Sequence, residues 1–70
     1  MKITDSVSFG KTLRSRRKEL GLTQKELSQI TGFSISFISD TERGKPTAEL
    51  GKAIHLVNLL GMDIEFSVRG

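Results

Sequence analysis

The chain has 70 residues, enough for one domain whose core is only marginally stable by itself. It has no cysteine and a single histidine, His55, which excludes disulfides, thiolate metal sites and any histidine cluster. Eleven lysines and arginines against eight acidic residues give a formal charge of +3, a weak pull towards anionic partners.

The distribution of charge says more than its sum. Lys11, Arg14, Arg16, Arg17 and Lys18 make five of the eight residues from 11 to 18 basic. No apolar run approaches the roughly 20 residues of a membrane span. No apolar segment follows Lys2, so no signal peptide is expected. These features lead to the expectation of a soluble cytoplasmic protein without cofactor or metal. With disulfides and metals excluded, a second copy of the chain is the expected source of extra stability.

The first helix is expected to run to Leu20 and stop at Gly21. Its start is open, since Thr4, Asp5, Ser6 and Ser8 are all good caps. Val7, Phe9, Leu13 and Leu20 supply its apolar face. The second helix starts at a capping box, Thr23-Gln24-Lys25-Glu26, with Leu22 and Leu27 at hydrophobic-staple spacing. Leu27, Ile30 and Thr31 are expected on its inner face, and Gly32 ends it.

The third helix starts at Ser34, with Phe33 and Ile38 repeating the staple spacing, and ends at Gly44. Pro46 blocks its continuation. The fourth helix is expected from Thr47 to just before Gly61. Leu50, Ala53, Ile54, Val57 and Leu60 form its core stripe, leaving Leu56 and Leu59 as a second apolar strip with something else to cover.

The tail changes period. Met62, Ile64, Phe66 and Val68 alternate with Asp63, Glu65, Ser67 and Arg69, the pattern of a strand. A lone strand leaves its backbone unpaired, and Lys2-Ile3-Thr4 is too short to be a good partner. The same strand of a second copy is the simplest partner, forming a ribbon over Leu56 and Leu59. The expected fold is therefore all-α, with four to five short helices and one C-terminal β-strand pairing across a homodimer. Residues 1–61 form the main unit and 62–70 the dimerisation strand. Leu56, Leu59, Met62, Ile64, Phe66 and Val68 line the interface. His55 is expected at the helix surface or in that interface.

Two short helices joined at a glycine, from Gln24 to Arg43, resemble the helix-turn-helix of the phage-repressor (Cro/Xre) family. The residues that carry the resemblance are Gly21-Leu22-Thr23-Gln24, Ser28, Gly32, Ile38 and Glu42-Arg43-Gly44-Lys45. Gly32 permits the sharp turn, small Ser28 lets the helices approach, and Ile38 with Leu27 pins the second of the pair to the core. The resemblance implies that this second helix lies in the major groove of double-stranded operator DNA. Carried over by position, Ser34, Ile35, Ser36, Phe37, Ser39 and Asp40 face the bases, and Thr23, Gln24, Arg43 and Lys45 the phosphates. The chain departs from the family at Ile35-Ser36, where relatives often carry a long polar pair. Ile35 and Phe37 also fit a surface buried by another protein, so an interaction module that has lost DNA binding stays open. Lys11, Arg14 and Lys18 fit either long-range attraction or a solvated face.

The resemblance further implies a structural salt bridge between Arg17 and Glu42. The stretch from Phe37 through Lys52 looks like the antitoxins encoded beside HipA-type serine/threonine kinase toxins, which implies a dimeric repressor with a HipA-type partner. A stand-alone regulator is the alternative. No nucleophile with a neighbouring base, phosphate-cradling loop or paired carboxylate is evident, and Asp63 and Glu65 read as solvated charges, so no enzyme activity is expected.

Overall fold

A computed structural model describes residues 2–70. Four helices follow in order: α1 (Ser6–Glu19), α2 (Gln24–Thr31), α3 (Ile35–Glu42) and α4 (Leu50–Leu59).

The open choice of cap for α1 falls on Asp5. Its carboxylate accepts the Ser8 N–H at 2.7 Å, while the Ser8 hydroxyl accepts the Asp5 N–H at 3.2 Å. α1 buries Gly10, Leu13 and Arg17, spaced so that one narrow stripe faces inward. The expected apolar face is thus corrected at two points. Val7 and Leu20 are exposed, because Leu20 is the C-cap, past the packed turns, and Val7 lies against glycine rather than the core.

α2 and α3 start where expected. The Thr23 hydroxyl accepts the Glu26 N–H at 3.0 Å and the Glu26 carboxylate accepts the Thr23 N–H at 3.0 Å. The Ser34 hydroxyl accepts the Phe37 N–H at 3.0 Å. Leu27 is buried but Ile30 is exposed, against expectation. Ile30 sits about 60° round the helix from Leu27, on the solvent side of a helix that buries one narrow stripe.

The core joins Leu13, Leu27, Ile38, Leu56, Val57 and Leu60, with Phe9, Leu22, Phe33, Phe37 and Met62 packed around it. Two expectations for α4 fail here. The helix starts at Leu50, since residues 46 to 48 form a turn closed by Ala48 N–H to Lys45 C=O. Leu56 belongs to the core and is 1% exposed, so it is not free for a partner strand; Leu50 and Ile54 point outward instead. The inward stripe is Ala53, Leu56, Val57 and Leu60. Leu59 is exposed as expected. The guanidinium of Arg16 closes the far end of α4 by donating to the Leu60 carbonyl at 2.9 Å.

The expected C-terminal strand is not formed. Residues 63–70 carry no regular structure, and no strand exists among the described residues. A strand needs a ladder partner, and residues 2–4 do not supply one within the chain. Met62 is tied back by its N–H to the Val57 carbonyl, while Phe66 and Val68 are almost wholly exposed. No helix among the described residues is long and apolar enough to cross a membrane.

Candidate nucleic-acid interface

The turn between α2 and α3 is held by short-range hydrogen bonds. Gly32 takes the left-handed backbone conformation (φ 79°) that ends α2. The Ser28 hydroxyl donates to the Phe33 carbonyl at 2.6 Å, and the Thr31 hydroxyl accepts the Phe33 N–H at 3.2 Å. Ser28 therefore does more than leave room. The Thr31 bond was missed in the sequence, although threonine before a turn glycine is a known signal for such bonds.

α3 has one inner and one outer side. Ile38, Thr41 and Glu42 are buried, and Ile38 has no exposed surface at all. Ser34, Ile35 and Ser36 are exposed in and before the first turn, and Ser39 and Asp40 are half-buried. Phe37 does not stand free as a base-facing or partner-facing ring. It packs against Phe33 with centroids 5.1 Å apart, and the Lys52 ammonium lies 5.8 Å from its ring. His55, exposed on α4, meets the Phe33 ring edge-on at 5.8 Å.

The position of α3 against α1 is fixed by a buried polar group. Arg17 Nε donates to Glu42 Oε2 at 2.7 Å, and its Nη2 to Oε1 at 3.0 Å. The salt bridge expected between these residues is present, and both are under 10% exposed. Hydrogen bonding to Glu42 raises the guanidinium's proton affinity further. Two partners were not read from the sequence: Arg17 Nη1 also donates to the Leu22 carbonyl at 2.7 Å, and Gln24 Nε2 donates to Glu42 Oε1 at 3.2 Å. No buried side-chain polar atom among the described residues lacks a partner.

Gly10 was missed as well. A Cβ there would overlap the Thr41 and Glu42 carbonyl oxygens, so the glycine is what lets α1 approach the end of α3. The signal was a glycine inside a helical pattern, which usually has a packing reason.

These contacts sort the expected site residues. Thr23 is engaged in its cap, and the Gln24 side chain is turned towards Glu42. Arg43 and Lys45 are exposed, and both meet the Asp40 carboxylate: Arg43 Nη2 at 2.6 Å from Oδ1, Lys45 Nζ at 3.5 Å from Oδ2. Lys11, Arg14 and Lys18 lie exposed on α1, while Arg16 and Arg17 from the same basic run serve the fold.

The family described as "Helix-turn-helix domain" matches residues 8–65. An uncharacterized HTH-type transcriptional regulator, y4mF, of Sinorhizobium fredii is 38% identical over 69 residues, covering 99% of this chain and 91% of that protein. The fold is similar to that of HipB in a complex with an O4 20mer, with a TM-score of 0.87 at 20% identity, covering 100% of this chain and 99% of that one. A HipB variant in complex with an O2 20mer gives the same TM-score and identity, covering 97% of that chain.

Proposed function

The chain belongs to the helix-turn-helix domain family, and from that membership we propose that it is a sequence-specific DNA-binding transcriptional repressor acting as a cytoplasmic homodimer. The observation that carries this reading is α3: its rear is anchored by Ile38 and Glu42, while Ser34, Ile35 and Ser36 stand exposed at its start. A short helix held this way can enter a major groove with its N-terminal turn towards the base edges.

In this reading Ser34, Ser36 and Ser39 hydrogen-bond to bases and Ile35 meets a thymine methyl. Phe37 supports that turn from behind. The N–H groups at the start of α2, next to Thr23 and Gln24, meet one phosphate, and Arg43 and Lys45 meet another. Residues 1–61 are the DNA-binding unit. Residues 62–70 form the dimerisation segment, with Ile64, Phe66 and Val68 pairing with the same tail of a second copy beside Leu59, while Met62, expected in that seam, stays packed on its own core. The exposure of Phe66 and Val68 supports this, since a solvated alternating segment gains most from a partner. Two copies of α3 would then reach successive major grooves, about 34 Å apart. The test is a binding series against the DNA upstream of the protein's own gene. Binding to an inverted repeat that persists to higher salt than binding to random duplex is expected, and failure to retain any duplex at low salt would refute the reading.

The likeness of residues 37–52 to antitoxins extends the proposal to an operon shared with a HipA-type kinase. Co-expression with the kinase encoded next door should give a stable complex. An unrelated neighbouring gene would leave a stand-alone regulator.

A further inference from the structure

Asp40 spans two cations with one carboxylate. Its Oδ1 meets Arg43 at 2.6 Å and its Oδ2 meets Lys45 at 3.5 Å. The chain is shaped for this: Gly44, between the cations, takes φ 84°, and the Lys45 N–H is tied to the Asp40 carbonyl at 3.0 Å. Both cationic side chains remain more than half exposed, and that of Asp40 about one-third. No other described acidic group faces these two cations in an ion pair.

We propose that Asp40 is a built-in competitor for phosphate, holding Arg43 and Lys45 in place while weakening their grip on DNA of any sequence. This rests on the DNA-binding reading above. A carboxylate and a phosphate present similar anionic oxygens, so they compete for the donors that Arg43 Nη2 and Lys45 Nζ turn towards Asp40. A phosphate clamped by those donors draws them off Asp40. The displaced carboxylate then lies near the DNA and repels it, and it recovers a counterion from solution. Non-specific affinity and its salt dependence both fall, whereas base contacts from the start of α3 are untouched. The residue thereby sets overall affinity and salt dependence, for operator and random DNA alike, rather than the ratio between them.

The experiment measures the affinity of wild type and Asp40→Asn for a random 20-base-pair duplex across a salt series. Glu19→Gln, on the exposed end of α1, controls for net charge. Asp40 holds two exposed ion pairs of modest strength, so Asp40→Asn should bind random duplex about three- to tenfold more tightly. Its log–log salt slope should steepen by up to about one. Asp40→Glu should restore wild-type behaviour. Asp40→Ser repeats the test should the amide disturb folding by circular dichroism. Elution from heparin reads the same cations without DNA, and Asp40→Asn should elute at higher salt. If duplex is bound but Asp40→Asn matches Glu19→Gln in affinity and slope, the competitor role is refuted and DNA binding stands. If neither form binds duplex yet Asp40→Asn elutes later from heparin, the DNA reading fails while the competition for anions stands.

Discussion

Arg17 on α1 and Glu42 at the end of α3 meet in a two-pronged hydrogen-bonded pair, 2.7 and 3.0 Å long, sealed from solvent. Planar guanidinium against planar carboxylate fixes orientation as well as distance. The same carboxylate receives Gln24 from α2, so three helices are referred to one side chain.

Breaking this pair from one side should be costly. Arg17→Met strands a buried carboxylate, and Glu42→Leu strands a buried guanidinium, at about 3–5 kcal/mol each. The double variant Arg17→Met/Glu42→Leu should recover much of that loss, because no charge is left unpaired. Urea unfolding of the three variants checks this. Single variants within about 1 kcal/mol of wild type would show that the pair is not effectively buried.

Two glycine-to-alanine changes should have opposite signs. At Gly10 the new methyl overlaps the Thr41 and Glu42 carbonyls and must spread α1 from α3, a loss of about 1–3 kcal/mol despite better helix propensity. At Gly51, inside α4, nothing lies within 4 Å of the added carbon. There alanine should stabilise by up to about 1 kcal/mol. Thermal melts of both variants decide the matter.

The helix starts predict an acid limb. The Ser8 N–H bonded to Asp5, and the Thr23 backbone N–H bonded to Glu26, hold both carboxyls below the usual carboxylate range. Their folded values lie below their unfolded ones, so the stabilisation is fully present above the unfolded value. It is lost as the pH falls through the lowered folded value. Glu26→Gln and Asp5→Asn should each flatten the fall of melting temperature below pH 4 or so, with little change in slope near neutrality. Thr23→Ala should cost about 1 kcal/mol at neutral pH through loss of the cap.

Base and phosphate contacts should separate by salt dependence. Arg43→Ala/Lys45→Ala should weaken binding to operator and random duplex together and flatten the salt slope by about 1–2. Ile35→Ala should leave that slope unchanged and relax preference at a thymine-containing step. Equal slopes for both variants would argue against the assignment of roles.

Features set by local chemistry were legible in the sequence. The Thr23 and Ser34 caps and the turn at Gly32 depend on neighbours a few residues away, and all stand as read. The burial of Ile38 against other helices came with the family resemblance. The pairing of Arg17 with Glu42, 25 residues apart, came from resemblance to a family rather than from pattern. Features set by which helix packs where were not legible. Periodicity marks Leu56, Ile54 and Leu50 as equally apolar, but only the angle at which α4 crosses the core decides that the first is buried and the others exposed. Alternation in residues 62–68 marks a segment able to become a strand, yet the ladder that makes it one must come from outside the segment.

The shared carboxylate of Glu42 also bears on motion. Separating α1, α2 or α3 from the others severs a bond to one common acceptor in a dry site, so none can open alone at small cost. Amide protons inside these three helices should therefore exchange with solvent water together, through global unfolding. On the proposed reading, α3 would be held in place before any DNA arrives, and little ordering entropy would remain to oppose docking.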